Sequence, residues 1–159
     1  MGVFKYEHEN STPVSREKLY KFFIKDSTEL IPKAAAPVQS IELVEGTGGA
    51  GSLKKFTIVI GGETKYLFHK VDGIDEANYG YNYSIVEGSS DLPDSVEKIS
   101  FENKLLEGPN GGTLAKVSVT YHTKGDTPPS EEELNAGKAK GDALFKDVEA
   151  YLLAHPKYN

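Results

Sequence analysis

Between residues 38 and 122 apolar and polar side chains alternate in six segments: roughly Val38–Glu45, Leu53–Ile60, Thr64–Asp72, Asn78–Val86, Val96–Leu106 and Thr113–His122. A period of two, rich in Val, Ile, Thr, Tyr and Phe, marks strands half-buried in a sheet. Glycine-containing turns separate most of them, at 46–51, Gly61-Gly62, Gly88-Ser89-Ser90 and 109–112. Short turns at that spacing predict an antiparallel meander. Val3 to Glu9 alternates loosely and predicts one more strand, broken by Thr12-Pro13.

The period changes to 3.6 in three places. Ser15 can cap a helix over Arg16 to Lys25, with Leu19, Phe22 and Phe23 on its apolar face. Asp26 or Ser27 can cap a second short helix ending near Pro32, so two short helices in a V are expected. Ser130-Glu131-Glu132-Glu133 has the form of a capping box. Leu134, Gly137, Gly141, Leu144, Phe145, Val148, Tyr151 and Leu152 then recur at helical spacing until Pro156 stops the run. About 25 residues at 1.5 Å each give roughly 37 Å, enough to cross a curved sheet.

The strand faces that should meet this helix are aromatic. Phe56 and Ile58 share a face with Lys54, and Leu67 shares one with His69. Tyr79, Tyr81, Tyr83 and Ile85 form a third set, and Ile99 and Phe101 a fourth. A filled core more often uses Leu, Ile and Val, because a buried tyrosine hydroxyl needs a partner. Gly137 and Gly141 withdraw volume from the facing helix, each at about 1 kcal/mol against alanine. They leave a cavity open or let helix and sheet pack closely.

Gly46-Thr47-Gly48-Gly49-Ala50-Gly51 matches G-x-G-x-x-G. A dinucleotide fingerprint needs a helix after it, and here a strand follows. The loop reads as a stiff hairpin. A phosphate cradle helped by Lys54 and Lys55 is the alternative.

One domain of 159 residues is expected, with 26% charged and 38% hydrophobic residues and a net charge of −6. The acidic balance argues against strong nucleic-acid binding. With no cysteine there is neither a disulfide framework nor a thiolate metal site. His8, His69, His122 and His155 lack metal-ligand spacing, so no metal and no cofactor are expected; His8, His122 and His155 read as surface or strand residues. No apolar leader or membrane span is visible, and Tyr6 stands where a myristoylation site needs Ser or Thr. A cytoplasmic location is the expectation.

Ordered motifs along the whole chain carry a resemblance. They are Met1-Gly2-Val3-Phe4, the loop from Glu45 to Lys55, Ile74-Asp75-Glu76-Ala77-Asn78, Tyr81-Asn82-Tyr83-Ser84, Glu97-Lys98-Ile99, 108–112, Tyr121 to Asp126, and Tyr151 to Pro156. The chain resembles the class-10 pathogenesis-related proteins of plants, the family of the major birch pollen allergen, and looks closest to legume members. The resemblance implies an α+β fold: a seven-stranded antiparallel curved sheet around a long C-terminal helix, two short helices in a V, and a large internal cavity. It implies binding of hydrophobic or amphipathic metabolites such as flavonoids, cytokinins, sterol-like hormones and fatty acids, in defence and stress; a monomer is the expectation. A weak ribonuclease activity is also attributed to the family, and its residues carry over as Lys54, Glu97, Glu149 and Tyr151. Two loop positions depart from the family: Thr47 replaces the usual Asn or Asp, and Ser52 the usual Thr. Thr47 tolerates positive φ less well, which favours a different local turn.

The candidate ligand-binding set is Phe22, Phe56, Ile58, Leu67, His69, Tyr81, Tyr83, Ile85, Ile99, Phe101, Gly137, Lys140, Gly141 and Leu144. His69 binds a ligand or pairs with a neighbour. Tyr81 and Tyr83 line a cavity or fill a core. Lys140 borders the mouth or is solvated. Glu97 and Glu149 serve acid–base chemistry or are surface charges.

Overall fold

The computed structural model describes residues 2–90 and 92–158; Met1, first residue of the opening motif above, lies outside them. Seven strands form one antiparallel sheet: β1 (Gly2–Thr12), β2 (Val38–Glu45), β3 (Leu53–Ile60), β4 (Glu63–Asp75), β5 (Gly80–Ile85), β6 (Val96–Glu107) and β7 (Thr113–Thr123). Their order is β1-β7-β6-β5-β4-β3-β2. β2 to β7 form the expected meander, and β1 returns beside β7. The helices are α1 (Arg16–Ile24), α2 (Ser27–Ala34) and α3 (Glu131–Ala154).

This order explains the short helices. β1 and β2 are opposite edges of the sheet, so residues 13–37 must travel from one edge to the other. α1 and α2 make that crossing and close one end of the interior. Ser15 caps α1 as its sequence predicts, its Oγ accepting from Lys18 N–H at 3.4 Å. Ser130 and Glu133 form the capping box of α3 reciprocally, at 3.1 and 2.9 Å.

Four local expectations change. β1 runs on to Thr12 rather than stopping at Glu9. α2 continues through Pro32 to Ala34, since a proline six residues in removes only one backbone hydrogen bond. Asp26 stands at the N-cap of α2 but makes no capping bond. Its carboxylate accepts instead from Tyr158 and lies 3.6 Å from Lys21 Nζ. The fifth strand starts at Gly80, not Asn78: residues 76–78 form a 3₁₀ turn and Tyr79 is left-handed, with φ 53°.

The core is asymmetric. Leu19 and Phe22 of α1, Ile31 of α2, Phe56 of β3, and Val148 and Leu152 of α3 pack into one cluster. Phe22 has no exposed surface, and the rings of Phe23, Tyr151 and Tyr158 lie 5.8–6.1 Å from it. A smaller cluster joins Val96 and Ile99 of β6 to Val119 and Tyr121 of β7. α3 buries Val148 and Leu152, both in its C-terminal half. Its N-terminal half is less deeply packed.

Candidate binding cavity

Beneath that N-terminal half lies a cavity of about 190 Å³. Its floor is the inner face of β5, β6, β7 and β1, and its roof is α3 from Gly137 to Phe145. Leu19, Tyr20 and Phe23 of α1 close one end. A larger hollow, about 1010 Å³, touches Glu7, Glu9, Asn82, Glu102 and Lys104. Alternation puts these side chains on the opposite, polar face, so that hollow is a solvated groove.

Tyr81, Tyr83, Phe101, Gly137, Gly141 and Leu144 of the predicted set line the cavity. Phe22, Phe56, Ile58, Leu67, Ile85 and Ile99 do not; they belong to or pack against the two core clusters, and His69 does not line it either. Leu19 and Phe22 of α1 and Ile31 of α2 join Phe56 in one cluster, with Ile58 and Leu67 packed against it, an outcome strand alternation alone left undecided. Lys140 is exposed on α3 and does not line the cavity.

The two helix glycines turn out to have different roles. A Cβ at Gly137 would lie 2.7 Å from the Tyr121 hydroxyl, so this glycine permits close helix–sheet approach. A Cβ at Gly141 would meet nothing within 4 Å, so this one leaves space open.

An aromatic ladder crosses four strands. Phe56 stacks on His69 at 4.1 Å, His69 on Tyr83 at 4.8 Å, and Tyr83 on Phe101 at 4.7 Å. His69 is half-buried as a residue, with its ring packed between those of Phe56 and Tyr83. Burial, then the charge of Lys54, lowers its pKa to about 3, so the imidazole is neutral at physiological pH. Its Nε2 is sealed off without a hydrogen-bond partner. Burial also pushes the phenol of Tyr81 up to about 12, and Tyr83 higher, so both remain donors. Tyr20 donates to Gly80 O at 2.9 Å, but among the described residues the hydroxyls of Tyr81 and Tyr83 have no such partner and are not sealed off. They are free to meet a ligand.

Three residues missed by the sequence reading complete one side. His8 Nε2 lies 2.7 Å from Asp142 Oδ1, and Asn10 Nδ2 donates to the same oxygen at 3.4 Å. All three line the cavity and tie edge strand β1 to α3. Asp142 is partly desolvated, yet His8, Asn10 and Lys146 hold its carboxyl below the usual range. The available signal was that His8 and Asn10 share a strand face with Tyr6. Tyr79 was expected on a strand and is not in one, but it lines the cavity, edge-on to Tyr20 at 5.4 Å and beneath Arg16 at 4.5 Å.

Lys54 is 6% exposed and donates to Ser27 Oγ at 3.5 Å. Burial lowers its pKa. Lys55 points to the other face, its ammonium 4.4 Å from the Tyr66 ring. β3 and β6 are three strands apart, about 14 Å along the sheet, which separates Lys54 from Glu97. Among the described residues no hydrogen bond or ion pair joins Lys54, Glu97 and Glu149; Tyr151 stacks on His155 at 4.1 Å. In the glycine loop, Gly48 N–H donates to Ser52 Oγ at 2.8 Å and Gly51 N–H to Val71 O at 2.8 Å. Those amides brace a hairpin. Positive φ falls on Gly46, Gly48 and Gly51 and not on Thr47, so the threonine is no obstacle.

Comparison with known proteins agrees with this architecture. Residues 1–155 match the pathogenesis-related protein Bet v 1 family. A class-10 pathogenesis-related protein 1 of Medicago truncatula is 59% identical over 158 residues, 99% of this chain and all of that one. A class 10 plant pathogenesis-related protein 2E of Lupinus luteus is 57% identical over the same coverage. The crystal structure of Ara h 8.0201 superposes with a TM-score of 0.88 at 46% identity, covering 96% of this chain and 99% of that one. The seven-stranded sheet, the two crossing helices and the long C-terminal helix are thus shared with proteins related along the whole length, and the chain belongs to the pathogenesis-related protein Bet v 1 family.

Proposed function

We propose that this protein binds and carries small amphipathic plant metabolites in defence and stress responses, as a cytoplasmic monomer without a cofactor. Flavonoids, cytokinins and sterol-like hormones are the candidate classes. The observation that carries the reading is the pair of unengaged hydroxyls, Tyr81 and Tyr83, in the wall of an otherwise largely apolar cavity. Ring faces supply area, and the phenols orient a polar substituent.

Cavity volume ranks the classes. At about 190 Å³ the cavity is small beside the roughly 300–1,000 Å³ usual for small-molecule sites, which favours flat, compact ligands over bulky sterol-like ones. Titration with a quenchable flavonoid and with a fluorescent apolar probe tests the reading. Saturable one-site binding supports it, and an interior that takes neither defeats it.

The ribonuclease alternative needs Lys54, Glu97 and Glu149 around one phosphate. The enclosure of Lys54 and its separation from Glu97 give that arrangement no support.

A further inference from the structure

One cross-strand row of the cavity floor is polar at both ends and apolar between them. The register sets His8 opposite Val117, Val117 opposite Asn103 and Asn103 opposite Tyr81, and all four line the cavity. At one end Asn103 Nδ2 donates to Tyr81 O at 3.1 Å. Only the amide nitrogen can donate to a carbonyl, so the orientation of this amide is fixed and its Oδ1 remains an acceptor. Among the described residues that oxygen has no partner, and it is not sealed off. The unengaged Tyr81 hydroxyl belongs to the same end. At the other end Asp142 takes His8 and Asn10 on Oδ1, and among the described residues its Oδ2 has no hydrogen bond or ion pair. The two lysines in the wall are placed elsewhere: Lys116 pairs with Glu9 at 3.2 Å, and Lys138 lies over the Tyr6 ring at 4.6 Å.

His8 and Asn103 are two strand spacings apart, about 10 Å, with only Val117 between them. Beside Asp142 the roof is Gly141, where a Cβ would meet nothing within 4 Å. A flat ring system fits that gap, and its two edges then face different chemistry. Asp142 only accepts. Asn103 accepts while Tyr81 can donate, and a hydroxyl is the group that answers both. We propose that Asn103 with Tyr81, and Asp142 with His8, are the two ends of one ligand site, so that the carried molecule is a flat aromatic with hydroxyl groups at opposite ends. One hydroxyl donates to Asn103 Oδ1 and accepts from Tyr81, and the other donates to Asp142 Oδ2. Ethers and ketones only accept, and leave both of those oxygens unpaired. This rests on the carrier reading above and narrows it.

The test is calorimetric titration of wild type and Asn103→Leu with 2,6-dihydroxynaphthalene, 2,3-dihydroxynaphthalene and 2,6-dimethoxynaphthalene. The first carries its hydroxyls at opposite ends, the second carries both at one end, and the third has no donor. Wild type should bind the 2,6-diol about three- to tenfold more tightly than the 2,3-diol, the range of one added hydrogen bond, and the dimethoxy ether more weakly than either. Asn103→Leu should remove the preference for the 2,6-diol. Equal binding of the two diols by wild type overturns the two-ended site and leaves the carrier reading standing. Binding of none of the three overturns both. The ether binding as tightly as the 2,6-diol overturns the need for hydroxyls, and with it the proposal. The side-chain amide resonances of Asn103 in wild type give a readout that needs no variant: they should move with the 2,6-diol, and unmoved resonances at saturation overturn the proposal.

Discussion

The hydroxyl of Tyr121 occupies the space that a side chain at Gly137 would need, 2.7 Å from an ideal Cβ. Four residues on, Gly141 faces open space. Alanine gains about 1 kcal/mol of helix propensity at either position. Gly141→Ala should therefore raise the unfolding free energy by up to about 1 kcal/mol. Gly137→Ala should lower it, because Tyr121 is 3% exposed and has little room to retreat. Urea unfolding of both variants, and of Gly137→Ala in a Tyr121→Phe background where the clash is relieved, checks the assignment.

His69 gives the fold a pH dependence with a definite sign. Its folded pKa is about 3, below an unfolded histidine at about 6.5. The unfolded state takes up the proton first, so stability falls as the pH drops from about 6.5 towards 3, by up to about 1.4 kcal/mol per unit. His69→Leu should remove that part of the slope. Between pH 7, 5.5 and 4.5 wild type should lose stability relative to His69→Leu, and parallel curves would contradict the burial of a neutral imidazole.

The contact between His8 and Asp142 is half-exposed, and its energetic contribution is small. Asp142→Asn should cost under about 1 kcal/mol. The depressed carboxyl contributes above the ordinary carboxylate range, near pH 4, and loses that contribution as the pH falls through its lower folded value. The same variant should exchange a bound apolar probe faster, since the contact ties β1 to α3 beside the cavity. Stopped-flow release of the probe from both proteins measures this.

Much of this architecture could be read in the chain. Strands β2 and β3 begin and end where alternation begins and ends, and Ser15 and Ser130 cap the helices they precede. Tyr79 escaped because a left-handed tyrosine has no sequence signature; its conformation is held by contacts with Tyr20 and Arg16, about 60 residues away. Which half of the interior is filled escaped for a related reason. Alternation assigns a face to Phe56 and to Tyr83 alike, but only the crossing of α1 and α2 decides that Phe56 is covered and Tyr83 left open. His8 and Asp142 meet across 134 positions, beyond any local pattern.

A preparation that degrades RNA should degrade it equally well with Lys54→Ala or Glu97→Ala. A genuine acid–base role would cost about a hundredfold or more. A loss of that size in both variants, with fold retained, would put these residues around one phosphate after all.

Binding to the cavity depends on the space under Gly141 and on the hydroxyls of the floor. Tyr83→Phe keeps the ring ladder and should weaken a hydroxyl-bearing aromatic ligand about three- to tenfold. The most direct measurement is a fluorescence titration of an apolar probe into wild type and Gly141→Phe, with circular dichroism to confirm that both fold. Wild type should saturate at one site and Gly141→Phe should not bind. Undiminished binding to the filled variant, or none to wild type, would contradict a ligand cavity between α3 and the sheet.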